Sequence, residues 1–254
     1  MEVLASKEAG VLRITLNRPE KKNSITGAMY QALADALADA RRDPAVKAVM
    51  ITGGVEMFAA GNDLGDFMNN PPQDEGAPVF QFLTQISECE KPIVAAVAGV
   101  AVGIGTTMLL HCDLVYAADN ARFALPFTSL GIVPEAASSY LLPLIAGYQQ
   151  AAELLLLGEP FGAERAKQAG FVTAVVPAGE LLPAAEKAAA RLAALPGKSI
   201  RTTKALLKQA HAAQVARQMH EEGVLFRAML TEPAAREAMS AFFAKRKPDF
   251  SQLE

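Results

Sequence analysis

No stretch of this 254-residue sequence stays apolar for the roughly 20 residues that a membrane-spanning helix needs. The richest run, IVAAVAGVAVGIGTTMLL at 93–110, is interrupted by Gly99, Gly103 and Gly105, which read as turns or close backbone approaches. Cysteine is nearly missing: Cys89 and Cys112 stand far apart, with no spacing for a disulfide framework or a zinc site. Histidine is scarce too. His111, His211 and His220 show no ligand spacing with one another or with carboxylates, so no metal is expected. Charge of neither sign dominates: the net charge of −3 leaves no electrostatic footprint for DNA or RNA. The phosphate-loop pattern and the Gly-x-Ser-x-Gly elbow are absent, and Gly103-Ile104-Gly105 lacks the third glycine of a dinucleotide fingerprint. Metal chemistry, serine-hydrolase chemistry, a membrane and nucleic acid are therefore set aside. The opening MEVLASKEAG has no export-signal design and the closing SQLE is no peroxisomal address, so a soluble, cytoplasmic protein is expected.

What is present is an α/β pattern. Residues 2–6 and 11–16 alternate around Glu8–Gly10 as a hairpin would. A helix follows, with Thr26 as its cap, Met29, Leu33 and Leu37 on one face, and Pro44 beyond its end. Residues 45–54 read as a buried strand, and strand–helix–strand is a crossover unit. The polar segment 65–78, with Pro71, Pro72 and Pro78, is the best candidate for a mobile loop over a cleft. A helix at 79–89, a strand at 93–97, a helix near 103–111 and strands at 112–118 and 171–177 complete the core. After about Gly179 the sequence reads as helices at 180–194, 198–216, 217–230 and 233–245. Two units result: an α/β core over 1–195 and a helical segment over 196–254.

The chemistry on offer comes from turns and one carboxylate. MFAAGNDL (57–64) follows a strand, and GVAVGIG (99–105) opens a helix. Two such turns can aim free backbone N–H groups at one point, although glycines there can equally serve close packing alone. In GIVPEAASSY (131–140), Glu135 lies between apolar segments. Its local reading is a helix-start residue behind Pro134 at the first helical position; the rival reading is a base in an apolar pocket. Asp63 reads as a turn-former, Asp66 as a loop residue, and His111 as a packed or capping histidine. The KRK cluster at 245–247 is either a solvated helix end or an anion contact.

Taken together, NRPEKKNSI (17–25), FAAGNDL (58–64), KPIVAAVAGVAVGIG (91–105), CDLVYAADNARFALPF (112–127), LGIVPEAASS (130–139), AKQAGFVTAVVP (166–177) and AMSAFFAKRKPDF (238–250) resemble the crotonase (enoyl-CoA hydratase/isomerase) superfamily along nearly the whole chain. The resemblance implies a spiral of ββα units with a helical C-terminal trimerisation segment, and a homotrimer or dimer of trimers. It also implies an acyl-CoA thioester as substrate and no cofactor. Carried over residue by residue, it implies oxyanion-hole N–H groups on Ala60 and Ile104 and a CoA adenine site on the backbone around Ala59, Gly61, Asn62, Asp63 and Leu64. Gly103, Thr107 and Phe127 would line the substrate pocket, and Lys245 and Lys247 would reach phosphates across a subunit interface.

Hydratases of the family carry two glutamates that handle water; those positions here are Thr107 and Phe127, neither of which can act as a carboxylate base. LPFTSLGIVPEAASSY is instead similar to the peroxisomal-type Δ3,Δ2-enoyl-CoA isomerases, whose base directly follows the proline; here that residue is Glu135. The expected activity is thus an isomerase with one base. A hydratase or other crotonase reaction, or a non-catalytic acyl-CoA-binding member, are the alternatives.

Overall fold

The structure, a computed structural model, describes residues 1–253. Val3–Glu8 (β1) and Val11–Leu16 (β2) form the expected hairpin, turning through Ala9 and Gly10, both at positive φ (47° and 82°). Gly27–Arg42 (α1) starts where its cap predicts: the Thr26 side chain accepts the Met29 N–H, and Met29, Leu33 and Leu37 are buried. Ala48–Thr52 (β3) is buried throughout. Next comes a departure. The stretch expected as a loop begins with a helical turn, Leu64–Asn69 (α2), before Pro78–Ser87 (α3). Asp63 accepts the Asp66 N–H at 3.0 Å and so caps α2, while Asp66 lies inside it and accepts the Gly27 N–H at 2.7 Å.

Beyond α3 run Ile93–Val97 (β4), Val100–Val102 (β5), Ile104–Thr107 (α4), Leu114–Ala118 (β6) and Arg122–Ala124 (β7). Ser138–Ala146 (α5), Tyr148–Ala152 (α6), Phe161–Gly162 (β8), Ala163–Gln168 (α7), Ala174–Val176 (β9) and Leu181–Ala194 (α8) follow. The chain closes with Gly197–Gln209 (α9), Ala212–Met229 (α10) and Pro233–Phe243 (α11). The break between α9 and α10 falls at 210–211, six residues earlier than the sequence predicts. A tertiary contact marks it: the Tyr140 hydroxyl and His211 Nδ1 are 2.8 Å apart.

The main sheet has the order β1-β2-β3-β4-β6-β9 and is parallel after the first hairpin; β5, β7 and β8 make a second, smaller sheet. Strands β4 and β6 each run on into a short strand of the second sheet, β5 and β7. Ala59 pairs in parallel with Ala101 one step earlier. This is the expected spiral of ββα steps. Alternation along the parallel strands sends side chains to two cores. Val49, Ile51, Ile93, Ala95 and Val97 face the larger core with α1 and α3, whereas Met50, Val94 and Ala96 meet Leu181, Ala185, Ala188 and Ala189 of α8. Each fully buried Leu, Ile or Phe there contributes about 1.5–3 kcal/mol relative to exposure. Among the described residues no helix is long and apolar enough to cross a membrane.

Candidate active site

Two backbone turns meet at the edge of the larger core. Val102 donates its N–H to Ala59 O at 2.9 Å, continuing the Ala59–Ala101 pairing. Glycines make the contact tight. A Cβ on Gly61 (φ 93°) would lie 3.0 Å from Val102 O, and one on Gly105 would lie 2.6 Å from Ala59 O. Past Gly103, whose φ of 54° suits glycine, the chain enters α4 with Ile104 at its start. Its N–H lies in the first turn, where no intrahelical acceptor exists.

The other expected donor needs correction. The Ala60 N–H is already committed, to Lys22 O at 3.0 Å, and cannot serve an external oxyanion. Its neighbours in the turn are also engaged: Ala59 donates to Val100 O and Asp63 to Ile25 O. Gly61 lends only its carbonyl, to Ile25. Asn62, like Gly61, has no protein acceptor for its N–H among the described residues. The buried Tyr30 hydroxyl donates to its Oδ1. Gly61 and Asn62 on the first turn and Ile104 at the start of α4 thus keep N–H groups free for an external acceptor.

Asp63 turns away from chemistry. Burial works to raise its pKa, but hydrogen bonds from Arg18 (2.6 Å) and the Asp66 N–H outweigh it and hold the carboxyl below the usual range. It acts as the turn-former expected, tying Arg18 and Ser24 to the start of α2.

Glu135 meets the end of the helix that Ile104 begins. Thr107, three residues along α4, donates its hydroxyl to Glu135 Oε1 at 3.2 Å. The carboxyl is 6% exposed. Burial pushes its pKa up to about 8, the Thr107 hydrogen bond opposes this, and the charge of Glu222 adds to it. Val79, Phe80 and Leu83 from α3 and Met219, Gly223 and Phe226 from α10 share with it a cavity of about 10 Å³. Phe80, Leu83, Met219 and Gly223 also line a larger groove of about 850 Å³ between α3, α9 and α10, which does not include Glu135 itself. Phe127, at the second position where hydratases place a glutamate, is buried at 3% exposure.

The helix-start reading of Glu135 is also corrected. Helix α5 begins at Ser138, and Ala136 and Ala137 both adopt left-handed φ (60° and 55°), which a right-handed first turn cannot contain. Such a conformation costs about 1–2 kcal/mol per alanine and must be held from outside. The holding groups are distant in sequence. His111 Nε2 lies 2.8 Å from Ala136 O, and Glu222 accepts the N–H groups of Ala137 (2.6 Å) and Ser139 (3.0 Å) and the Ser139 hydroxyl. Burial lowers the His111 pKa to about 4, so it is a neutral, packed histidine, as its place in the sequence suggests. Glu222 escaped the sequence reading, yet a signal existed: it stands between Met219 and Phe226 on the buried face of α10. Lys245 and Lys247 remain exposed beyond α11, where Arg246 between them pairs with Glu237 at 2.8 Å.

The chain matches the enoyl-CoA hydratase/isomerase family over residues 6–253. It is 35% identical to the 1,2-epoxyphenylacetyl-CoA isomerase of Escherichia coli (strain K12), with 98% of each chain covered. Against enoyl-CoA delta isomerase 2 of Rattus norvegicus the identity is 38%, covering 97% of this chain and 64% of that one. A crystal structure of an enoyl-CoA hydratase/isomerase from Pseudoalteromonas atlantica T6c superposes with a TM-score of 0.95 at 44% identity, covering 99% of this chain and all of the other.

Proposed function

From its membership of the enoyl-CoA hydratase/isomerase family, to which this chain belongs, we propose that the reaction is the Δ3,Δ2 isomerisation of an enoyl-CoA thioester with Glu135 as the one proton carrier. The observation that carries this reading is the pairing of Glu135 with Thr107: a buried carboxyl faces a hydroxyl where a hydratase would place a second carboxylate. Isomerisation needs only one. The carboxylate of Glu135 takes a proton from C2 of the 3-enoyl thioester, and the electron pair delocalises into a dienolate with its charge on the thioester oxygen. Asn62 and Ile104 supply the two N–H donors that stabilise this charge. The carboxylic acid then returns the proton at C4, which moves the double bond and regenerates the base. With its pKa pushed up to about 8, Glu135 near that pH populates both the carboxylate that accepts the proton and the acid that returns it.

In this reading the Ala59–Leu64 turn holds the CoA adenine, and Lys245 and Lys247 serve the phosphates from a neighbouring subunit of a homotrimer or dimer of trimers. The assay that tests it offers 3-enoyl-CoA and 2-enoyl-CoA substrates side by side. Faster isomerisation of the first than hydration of the second is expected. Hydration at a comparable or greater rate would favour a hydratase, and acyl-CoA binding without turnover would favour a binding protein.

A further inference from the structure

Helix α10 lays a carboxylate against the turn that presents Glu135. Glu222, 4% exposed, accepts the N–H groups of Ala137 and Ser139 and the Ser139 hydroxyl, and Gln218 one turn earlier donates to the same hydroxyl oxygen at 2.9 Å. The residues it spans to are 83 and 85 positions away in sequence. Two consecutive left-handed alanines lie between Glu135 and Ser138, and no glycine or asparagine relieves them. The shape of this turn is therefore set by what binds its N–H groups.

We infer that Glu222 is a positioning residue for Glu135: it clamps the Ala136–Ser139 turn onto α10 and so fixes where the base points. The inference rests on the reading of Glu135 as that base. The groups facing Glu135 leave room for such an effect. Helix α4 offers the neutral Thr107 hydroxyl, α1 the buried Tyr30 phenol, and the turn before β6 the neutral His111 behind Ala136 O. Helix α3 contributes apolar side chains, and Arg227 of α10 is stacked over Phe80, 5.2 Å from its ring centroid. From α10, Glu222 is a second buried carboxyl; burial pushes its own pKa up against the hydrogen bonds from Ser139 and Ala137, and it adds to the proton affinity of Glu135. A carboxyl that binds both N–H groups of the turn holds the base in one orientation, and as a neighbouring acid it also favours the protonated form of Glu135.

The test compares Glu222→Gln and Glu222→Ala with the unaltered protein, each checked for native circular dichroism. Glutamine keeps an acceptor oxygen for one of the N–H groups but removes the charge. In Glu222→Gln, kcat should fall with little change in KM, and the acid limb of the kcat/KM profile on 3-enoyl-CoA should move to lower pH. Glu222→Ala, which frees the turn, should lose more, on the order of 100-fold in kcat. A second readout does not depend on the substrate: titration of the Glu135 carboxyl by carbon-13 NMR should shift to lower pH in Glu222→Gln. A folded Glu222→Ala protein with the kcat and the carboxyl titration of the unaltered protein would overturn the inference. Absence of isomerase activity in the unaltered protein would instead remove the proposed function, and the carboxyl titration would still decide the role of Glu222.

Discussion

At the scale of single residues, two carboxylates close to the same turns have been given opposite environments. Asp63 meets Arg18 and a backbone N–H and is held as a carboxylate; Glu135 meets one hydroxyl and apolar walls and is held as an acid until about pH 8. The burial that would suit Glu135 to the proposed proton transfer comes at the expense of stability. In the unfolded chain Glu135 ionises near its ordinary value of 4.5, whereas in the folded chain it keeps its proton up to about 8. Folding stability from this group is therefore highest below pH 4.5 and declines as pH rises from there towards 8. Glu135→Gln, which cannot ionise, should melt at a higher temperature than the unaltered protein at pH 8, by on the order of a few kcal/mol of stability. The difference should shrink towards pH 5. Melting curves at the two pH values check this, and a constant or reversed difference would mean that Glu135 is not buried as an acid.

Among the elements, α11 depends on a glycine. Gly131 (φ 67°) ends the short turn after Phe127, and a Cβ there would lie 2.7 Å from the backbone of Ala234 and Ala235 at the start of α11. Gly131→Ala should cost about 1–3 kcal/mol or more, through both overpacking and an unfavourable φ. Chemical denaturation measures it; a loss under about 0.5 kcal/mol would mean that α11 can shift freely. The elements themselves were largely legible in the sequence. Helix α1 carries its cap at Thr26 and its stripe at Met29, Leu33 and Leu37, and the main strands β3 and β4 are apolar apart from Thr52.

What stayed hidden depended on residues far away. Whether Ala60 or Asn62 has a free N–H turns on where Lys22 O lies, which local spacing cannot reveal. The left-handed Ala136 and Ala137 carry no local mark, because glycine or asparagine would be the usual signal. Their conformation comes from Glu222 and His111, brought in by α10 and the turn before β6. Helix α2 is hidden by its length of six residues and by the prolines that follow it, although its cap, Asp63, reads as a turn residue.

On the scale of the whole molecule, several large apolar side chains face outward: Leu144, Tyr148, Leu156 and Leu157 around α5 and α6, and Phe242 and Phe243 at the end of α11. Single exposed apolar residues are ordinary, but groups of this kind mark contact surfaces. They suit the homotrimer or dimer of trimers expected from the family resemblance. Analytical ultracentrifugation should return three or six times the chain mass of 26.8 kDa. Changing both Leu156 and Leu157 to glutamate should lower that mass, and a monomer in the unaltered protein would contradict the assembly.

In the proposed reaction one carboxylate moves one proton between two carbons. The most direct test is the rate of 3-enoyl-CoA to 2-enoyl-CoA conversion by the unaltered protein and by Glu135→Gln, with native circular dichroism verified for both. Loss of a general acid–base group predicts a fall of about 10²–10⁴-fold in kcat, with the thioester still bound. Conversion by Glu135→Gln at the unaltered rate would contradict the claim outright.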